Sequence, residues 1–290
     1  MHFRALASLT KKYFPDLTFT TLEIGARKIG PEQEVFYQLP EYFPGSTVLG
    51  FEPDDYECEK MNKEALTGFR YYPIALGGTE GNVPFYQTAA PMCNSLLRPN
   101  KAVNALYNNM HFAELNKESE VYTTTIDSFV ANNEISKVDL IKIDIQGAEL
   151  KAFEAATQTL KDVSLIISEV EFMRLYEDQP LFGDIERYLA LQGFMFHKFD
   201  TIHGRTLAPV VLNNNPNFAT QHMWADAIFI RDLFRIEKVD DERLIKSAVL
   251  AFLFGSPDVT FFLLGRYDER NPSSNIAEEY AHKLNAGALE

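Results

Sequence analysis

Residues 138–150, VDLIKIDIQGAEL, change period part-way along, and that change restricts the fold more than any other stretch of the chain. Val138, Leu140, Ile141, Ile143 and Ile145 make a nearly continuous apolar run, as expected of a strand covered on both faces in a parallel sheet. From Ala148 onward Leu150, Phe153, Thr157 and Leu160 recur at helical spacing, so the chain is expected to turn at Gln146 and Gly147 and enter an amphipathic helix. Asp144 then stands near the carboxyl end of a buried strand, where open α/β sheets place their ligands. An unpaired carboxylate is expensive to bury, so Asp144 either faces a polar cleft or has a partner.

The flanking sequence repeats this alternation. Residues 19–24 (FTTLEI) read as a strand that runs directly into Gly25, where a missing Cβ permits a tight turn and close approach to a ligand. A helix is expected over 31–42, with Val35, Phe36, Leu39 and Phe43 inward, then a strand over 47–51 that delivers Glu52, Pro53 and Asp54. An acidic residue there, 20 to 30 residues past the glycine turn, is the usual partner of a ribose diol in nucleotide-binding α/β folds. A helix over 55–66, a strand over 70–75 and a hairpin partner over 83–87 follow. Residues 89–116 lack a clean period and read equally well as a lid or as a surface connection with a short helix near 102–107. Strands are expected at 121–126, 163–170, 194–199 and 224–230, with helices starting at 127 and spanning 181–191, which predicts a largely parallel sheet with helices on both faces. Helical patterns over 240–254 and 277–284 form a carboxyl-terminal extension. The expected division is therefore 1–18 as a helical segment, 19–235 as the main domain and 236–290 as the extension.

Several functions are disfavoured by composition. A net charge of −14 argues against a nucleic-acid groove as the main surface, because phosphate binding draws on Lys and Arg. The two cysteines, Cys58 and Cys93, form no CxxC pair, and no HxH or HExxH spacing suggests a metal site. No signal-peptide core is evident at the amino terminus, and the apolar 248–264 stretch is interrupted at 255–258 and too short to span a bilayer. A cytoplasmic protein is expected, and that stretch could instead bury itself against a second subunit as a homo-oligomer.

The run Asp144-Ile145-Gln146-Gly147-Ala148-Glu149 after a hydrophobic strand resembles the signature of the FkbM family of S-adenosylmethionine-dependent methyltransferases. Similar motifs arrive in the family's order over 22–230: Glu23-Ile24-Gly25-Ala26-Arg27, Phe51-Glu52-Pro53-Asp54, Asn94-Ser95, Thr125-Ile126-Asp127, the 138–150 run and Glu169-Val170-Glu171. Tyr176, 179–182 and Gly193-Phe194 look like its later half. Glu23 and Arg27 replace the family's commoner Asp and Asn, and nothing after Arg231 has a recognised counterpart.

The resemblance implies a doubly wound, mostly parallel, seven-stranded Rossmann-like sheet and S-adenosyl-L-methionine as cofactor. That cofactor has no pyrophosphate, so it does not require the full glycine cradle, and the chain lacks one. By the resemblance Glu23, Gly25 and Ala26 line its methionine end, Glu52 holds the ribose hydroxyls, Asp54, Ala75 and Leu76 lie near adenine, and Asp144 lies near the sulfonium. Arg27 either reaches the methionyl carboxylate or is solvated. Deprotonating an acceptor hydroxyl calls for a base, and Asp144, Glu149, Glu169 and Glu171 supply carboxylates from neighbouring strand ends. Asp144 and Glu171 are the catalytic candidates, although Glu149 and Glu171 could equally pair with Lys or cap backbone. His197 and His222 are alternative bases or ordinary histidines, and Tyr176 and Phe182 either stack on an acceptor or pack the core. The acceptor implied is a small molecule or carbohydrate bearing a hydroxyl. The competing readings are a nicotinamide-dependent oxidoreductase, disfavoured by the missing glycines, and a non-catalytic module that kept the fold.

Overall fold

The structure is a computed structural model that describes residues 3–27, 33–215 and 218–285. In chain order its elements are α1 (Phe3–Tyr13), β1 (Thr20–Ile24), a 3₁₀ turn (Val35–Gln38) running into α2 (Leu39–Tyr42), β2 (Thr47–Phe51), α3 (Asp55–Lys63), β3 (Phe69–Tyr72), β4 (Ala75–Leu76), β5 (Gly81–Thr88), α4 (Lys101–Asn104), β6 (Leu115–Thr124), α5 (Ile126–Asn132), β7 (Leu140–Ile143), α6 (Glu149–Glu154), β8 (Leu165–Glu171), α7 (Phe182–Leu191), β9 (Phe194–Gly204), β10 (His222–Arg231), α8 (Asp241–Leu253), α9 (Pro257–Arg270) and α10 (Ile276–Asn285).

Seven strands form the central sheet in the order β3-β2-β1-β7-β8-β10-β9. The first five run parallel, and β10 pairs antiparallel with both β8 and β9. This is the doubly wound, mostly parallel sheet expected from the alternation of strand and helix. Side chains alternate between its two faces. Leu22, Ile24, Ile141, Ile143, Ile166 and Phe229 pack with α5, α6 and α7 on one face. Phe19, Val48, Leu140, Leu165, Ile167 and Ile228 pack on the other with α1, α8, α9 and α10. The carboxyl-terminal helices thus share one core with the sheet. Lys246 of α8 reinforces this contact, donating at 3.0 and 3.2 Å to the two carboxylate oxygens of Asp139, one of which also accepts from the Thr20 amide.

Several local expectations are corrected. The expected strand over 70–75 is broken at Pro73, so β3 stays in the central sheet while β4 leaves it. β4, β6 and β5 build a separate three-stranded sheet, which holds the strand expected at 121–126 and pairs β5 with β6, not with its sequence neighbour. Of the expected helix over 31–42, residues 31–32 lie outside the described residues, 33–34 are irregular, and the rest forms the 3₁₀ turn and α2, with Val35 exposed. Pro257 does not end the apolar stretch but opens α9, where a missing N–H costs nothing. Much of the 248–264 stretch packs on its own chain: Ala248, Val249, Leu250, Val259, Leu263 and Leu264 are buried in the core beneath the sheet, while Phe261 is exposed. Among the described residues no helix is long and apolar enough to cross a membrane.

Candidate active site

At the carboxyl ends of β1, β2 and β7 three backbones converge. The amides of Gly25 and Ala26 both donate to the Phe51 carbonyl, and the Asp144 amide donates to the Ile24 carbonyl. Gly25 adopts φ +84°, and a Cβ placed there would lie 1.9 Å from the Asp144 carbonyl oxygen. Only glycine satisfies both requirements. Above this junction opens a cavity of about 490 Å³, closed on one side by β4 and residues 91–96 and on another by β9, β10 and Phe254.

Seven residues expected in the site line this cavity: Glu23, Gly25, Ala26, Glu52, Ala75, Leu76 and Asp144. Two others lie elsewhere. Asp54 caps α3, accepting from the Glu57 amide at 3.1 Å, and that bond together with Arg27 holds its carboxyl below the ordinary range. Glu171 is buried off the cavity wall, and burial with Glu149 and Asp144 nearby pushes its carboxyl well upward. The period of β8 explains this: Ile167, Glu169 and Glu171 share a face, Ile167 meets the cavity, and Glu171 is four residues further along.

Arg27 lines the cavity, but its guanidinium is turned onto neighbouring carboxylates. Its guanidinium forks across Glu52, with Nη2 3.1 Å from Oε1 and Nε 3.3 Å from Oε2, while Nη2 also meets Asp54 at 3.0 Å. Glu52 additionally accepts from the Asp54 amide at 2.8 Å, which fixes its carboxylate at the strand end.

Asp144 is oriented by Gln146, whose Nε2 donates to Asp144 Oδ1 at 2.8 Å and to Glu169 Oε2 at 2.6 Å. Gln146 sits at φ +57°, its carbonyl accepts from the Ser95 hydroxyl, and its Oε1 accepts from the Tyr176 hydroxyl. Glu149 holds the turn itself, its Oε1 accepting from the amides of Ile145 and Gly147 at 2.8 and 3.2 Å. It therefore caps backbone, and burial pushes its carboxyl up to about 7. Tyr176 is buried beneath residues 91–96, and Phe182 packs among Phe172, Phe196 and Phe199, so both serve the interior. His197 bonds Ser256 at 2.7 Å, and burial lowers its affinity for a proton; His222 lies against Phe172, and neither histidine lines the cavity.

Sequence reasoning missed Lys142. It projects into the cavity from β7, opposite Glu23 in register, with its ammonium 3.7 Å from Asp144 and 3.9 Å from Glu34. Burial works against its charge, but Asp144, Glu34, Glu23 and Asp226 outweigh burial and hold the ammonium above its ordinary value. Glu23 accepts from the Tyr37 hydroxyl at 2.8 Å, and Asp226 from Thr201. The signal was legible: Lys142 is the lone charge of β7 and Asp226 interrupts the apolar run 223–230 of β10, and a charge kept in a buried strand has a task or a partner. Among the described residues no group of three or more His, Cys, Asp or Glu is arranged to hold a metal ion, and Cys58 and Cys93 are free and buried.

Residues 23–196, more than half of the chain, match the sequence profile described as the Methyltransferase FkbM domain. The chain belongs to the FkbM methyltransferases. The match begins at Glu23 and takes in the glycine turn, Glu52, Lys142 and Asp144, so the cavity of this FkbM protein is built almost wholly from family sequence, while Asp200, Thr201, Asp226 and Phe254 lie beyond it. The FkbM chain is 24% identical over 185 residues to the 2-O-methyltransferase NoeI of Sinorhizobium fredii, covering 61% of this chain and 71% of that protein. Among solved structures it aligns with the magnesium protoporphyrin IX methyltransferase ChlM of Synechocystis with bound SAM at 10% identity, 79% of each chain and a TM-score of 0.35. A 23S rRNA methyltransferase, ErmE, aligns at 12% identity over 91% of this chain and 82% of that one, also with a TM-score of 0.35.

Proposed function

We propose that the protein is an S-adenosylmethionine-dependent O-methyltransferase acting on a hydroxyl of a small molecule or carbohydrate. The observation that carries this is the junction of Gly25, Glu52 and Asp144 around one cavity in a chain of the FkbM family. A cofactor with an adenosine and an amino-acid end fits the donor set there. Gly25 lets the backbone come close, Glu52 offers carboxylate oxygens to a ribose diol, and Ala75 and Leu76 give an apolar edge for adenine. Bound there, S-adenosylmethionine would supply the methyl group for transfer to an acceptor oxygen, its sulfur leaving as the neutral thioether of S-adenosylhomocysteine.

The chain's own contribution is binding, orientation and a proton acceptor. Asp144 faces the cavity with Oδ1 held by Gln146 and Oδ2 3.7 Å from the Lys142 ammonium, outside hydrogen-bond reach, so Oδ2 is the oxygen that would take a proton from an acceptor hydroxyl. Support for a hydroxyl acceptor comes from the relative NoeI, a 2-O-methyltransferase.

Calorimetric titration with S-adenosylhomocysteine tests the reading. The unmutated protein is expected to bind, Glu52→Ala to lose binding, and Asp144→Ala to bind more weakly while losing turnover in a screen of hydroxylated sugars and small alcohols. Binding of NAD in place of S-adenosylhomocysteine would sink the proposal in favour of an oxidoreductase, and binding of neither would favour a non-catalytic module.

A further inference from the structure

We propose that Lys142 is the receptor for the carboxylate at the amino-acid end of the cofactor, an assignment that rests on the methyltransferase reading above. A zwitterionic amino-acid group asks two things of a wall: a cation for its carboxylate and carboxylates for its ammonium. Two described cations line the cavity, Arg27 and Lys142. Arg27 is committed, since its guanidinium is already divided between Glu52 and Asp54. Lys142 is not. Its ammonium has ion-pair neighbours at 3.7 and 3.9 Å, both outside hydrogen-bond reach, and among the described residues it meets no hydrogen-bond acceptor. Its side chain is only 14% exposed and its ammonium faces the cavity, where a ligand carboxylate can accept from its three N–H donors.

The surroundings suit the other half of the zwitterion. Asp144 and Glu34 flank the ammonium, and both line the same cavity. A ligand bringing only negative charge would meet these carboxylates unfavourably, whereas one whose own ammonium lies beside its carboxylate leaves the local balance unchanged. The spacing agrees as well. Lys142 on β7 and Glu52 beyond β2 are separated by two strand spacings and an offset of two residues, a backbone distance of about 12 Å. Glu52 and Lys142 thus bracket the stretch between a ribose and an amino-acid terminus.

The test compares three probes on the intact chain: S-adenosylhomocysteine, its decarboxylated analogue, and 5′-methylthioadenosine, which lacks the whole amino-acid end. On the unmutated protein, removing the ligand carboxylate is expected to weaken binding about ten- to a hundredfold, the range for a hydrogen bond to a charged group. Lys142→Met is expected to weaken S-adenosylhomocysteine by a similar factor, to leave 5′-methylthioadenosine unchanged, and to bind the decarboxylated analogue as well as its parent. Lys142→Arg should restore part of the discrimination. Equal affinity of the unmutated protein for S-adenosylhomocysteine and the decarboxylated analogue would overturn the assignment without reference to any variant. Parallel loss of S-adenosylhomocysteine and 5′-methylthioadenosine in Lys142→Met would also overturn it, giving Lys142 a role in shaping the cavity alone. If the unmutated protein bound none of the three, the methyltransferase reading itself would fail, and this assignment with it.

Discussion

Gly25 carries the tightest constraint in the site, because a side chain there would strike the Asp144 carbonyl while the backbone sits at φ +84°. The left-handed strain alone costs about 1–3 kcal/mol, and the backbone clash adds to it. Gly25→Ala is therefore expected to lower the melting temperature and to abolish S-adenosylhomocysteine binding; a variant that melts and binds like the parent would contradict the close approach. Glu149 gives a second, pH-dependent prediction. Its carboxyl rises from an ordinary value of 4.5 to about 7 on folding, so between those limits the folded chain holds a proton that the unfolded chain has released. This contribution to stability is complete below pH 4.5 and is lost as the pH climbs to about 7, an effect on the order of a few kcal/mol. Glu169 and Glu171 shift upward in the same direction. Urea denaturation from pH 4.5 to 8 should show the decline, and Glu149→Gln should flatten part of it. At this scale the sequence pointed to Gly25, Glu52 and Asp144 through position, since each follows a strand directly. It pointed to Lys142 only through an anomaly, a charge where the apolar period allows none, and it could not reveal that Arg27 would turn back onto Glu52, because that depends on three-dimensional proximity between β1 and β2.

Helices α8–α10 illustrate how far an element's meaning depends on its partner. Their amphipathic spacing was legible, but the surface they cover was not, since an apolar helix face suits a second subunit or the chain's own sheet equally well. The structure assigns the face to the sheet, through the Leu244–Leu250 run of α8 and the buried pair of Lys246 with Asp139. Asp139 also accepts from Thr20, so this one carboxylate ties α8 to the starts of β1 and β7. Removing one partner of such a pair leaves a buried charge uncompensated, which typically costs about 3–5 kcal/mol. Lys246→Ala is expected to lose that much in urea denaturation, whereas Lys246→Met combined with Asp139→Asn should recover a large share. A double variant no better than the single would show that the ion pair does more than neutralise itself. The three-stranded sheet was illegible for a different reason: β4 has only two residues, and its partner β6 begins 39 positions later, beyond the reach of any local period.

Across the whole molecule, the cavity is the place where both cores and the small sheet meet. β1 and β7 divide the two hydrophobic layers, Ala75 and Leu76 belong to the three-stranded sheet, and Phe254 arrives from the end of α8. A ligand held there touches every layer, so its binding energy is expected to stabilise the fold as one unit and not a single lobe. For a ligand that binds only the folded chain, a concentration of about 100 times its dissociation constant adds ~2.7 kcal/mol. In a chain of this size that corresponds to a rise of about 4–5 °C in the melting temperature. S-adenosylhomocysteine is expected to raise the melting temperature by this amount when followed either by circular dichroism or by fluorescence of Trp224, which sits on β10 far along the sheet from Glu52. The two signals should move together, and Glu52→Ala should move neither. A shift seen by one signal alone would mean that the layers unfold separately, and that the helices beneath the sheet are coupled to the site less tightly than their shared core requires.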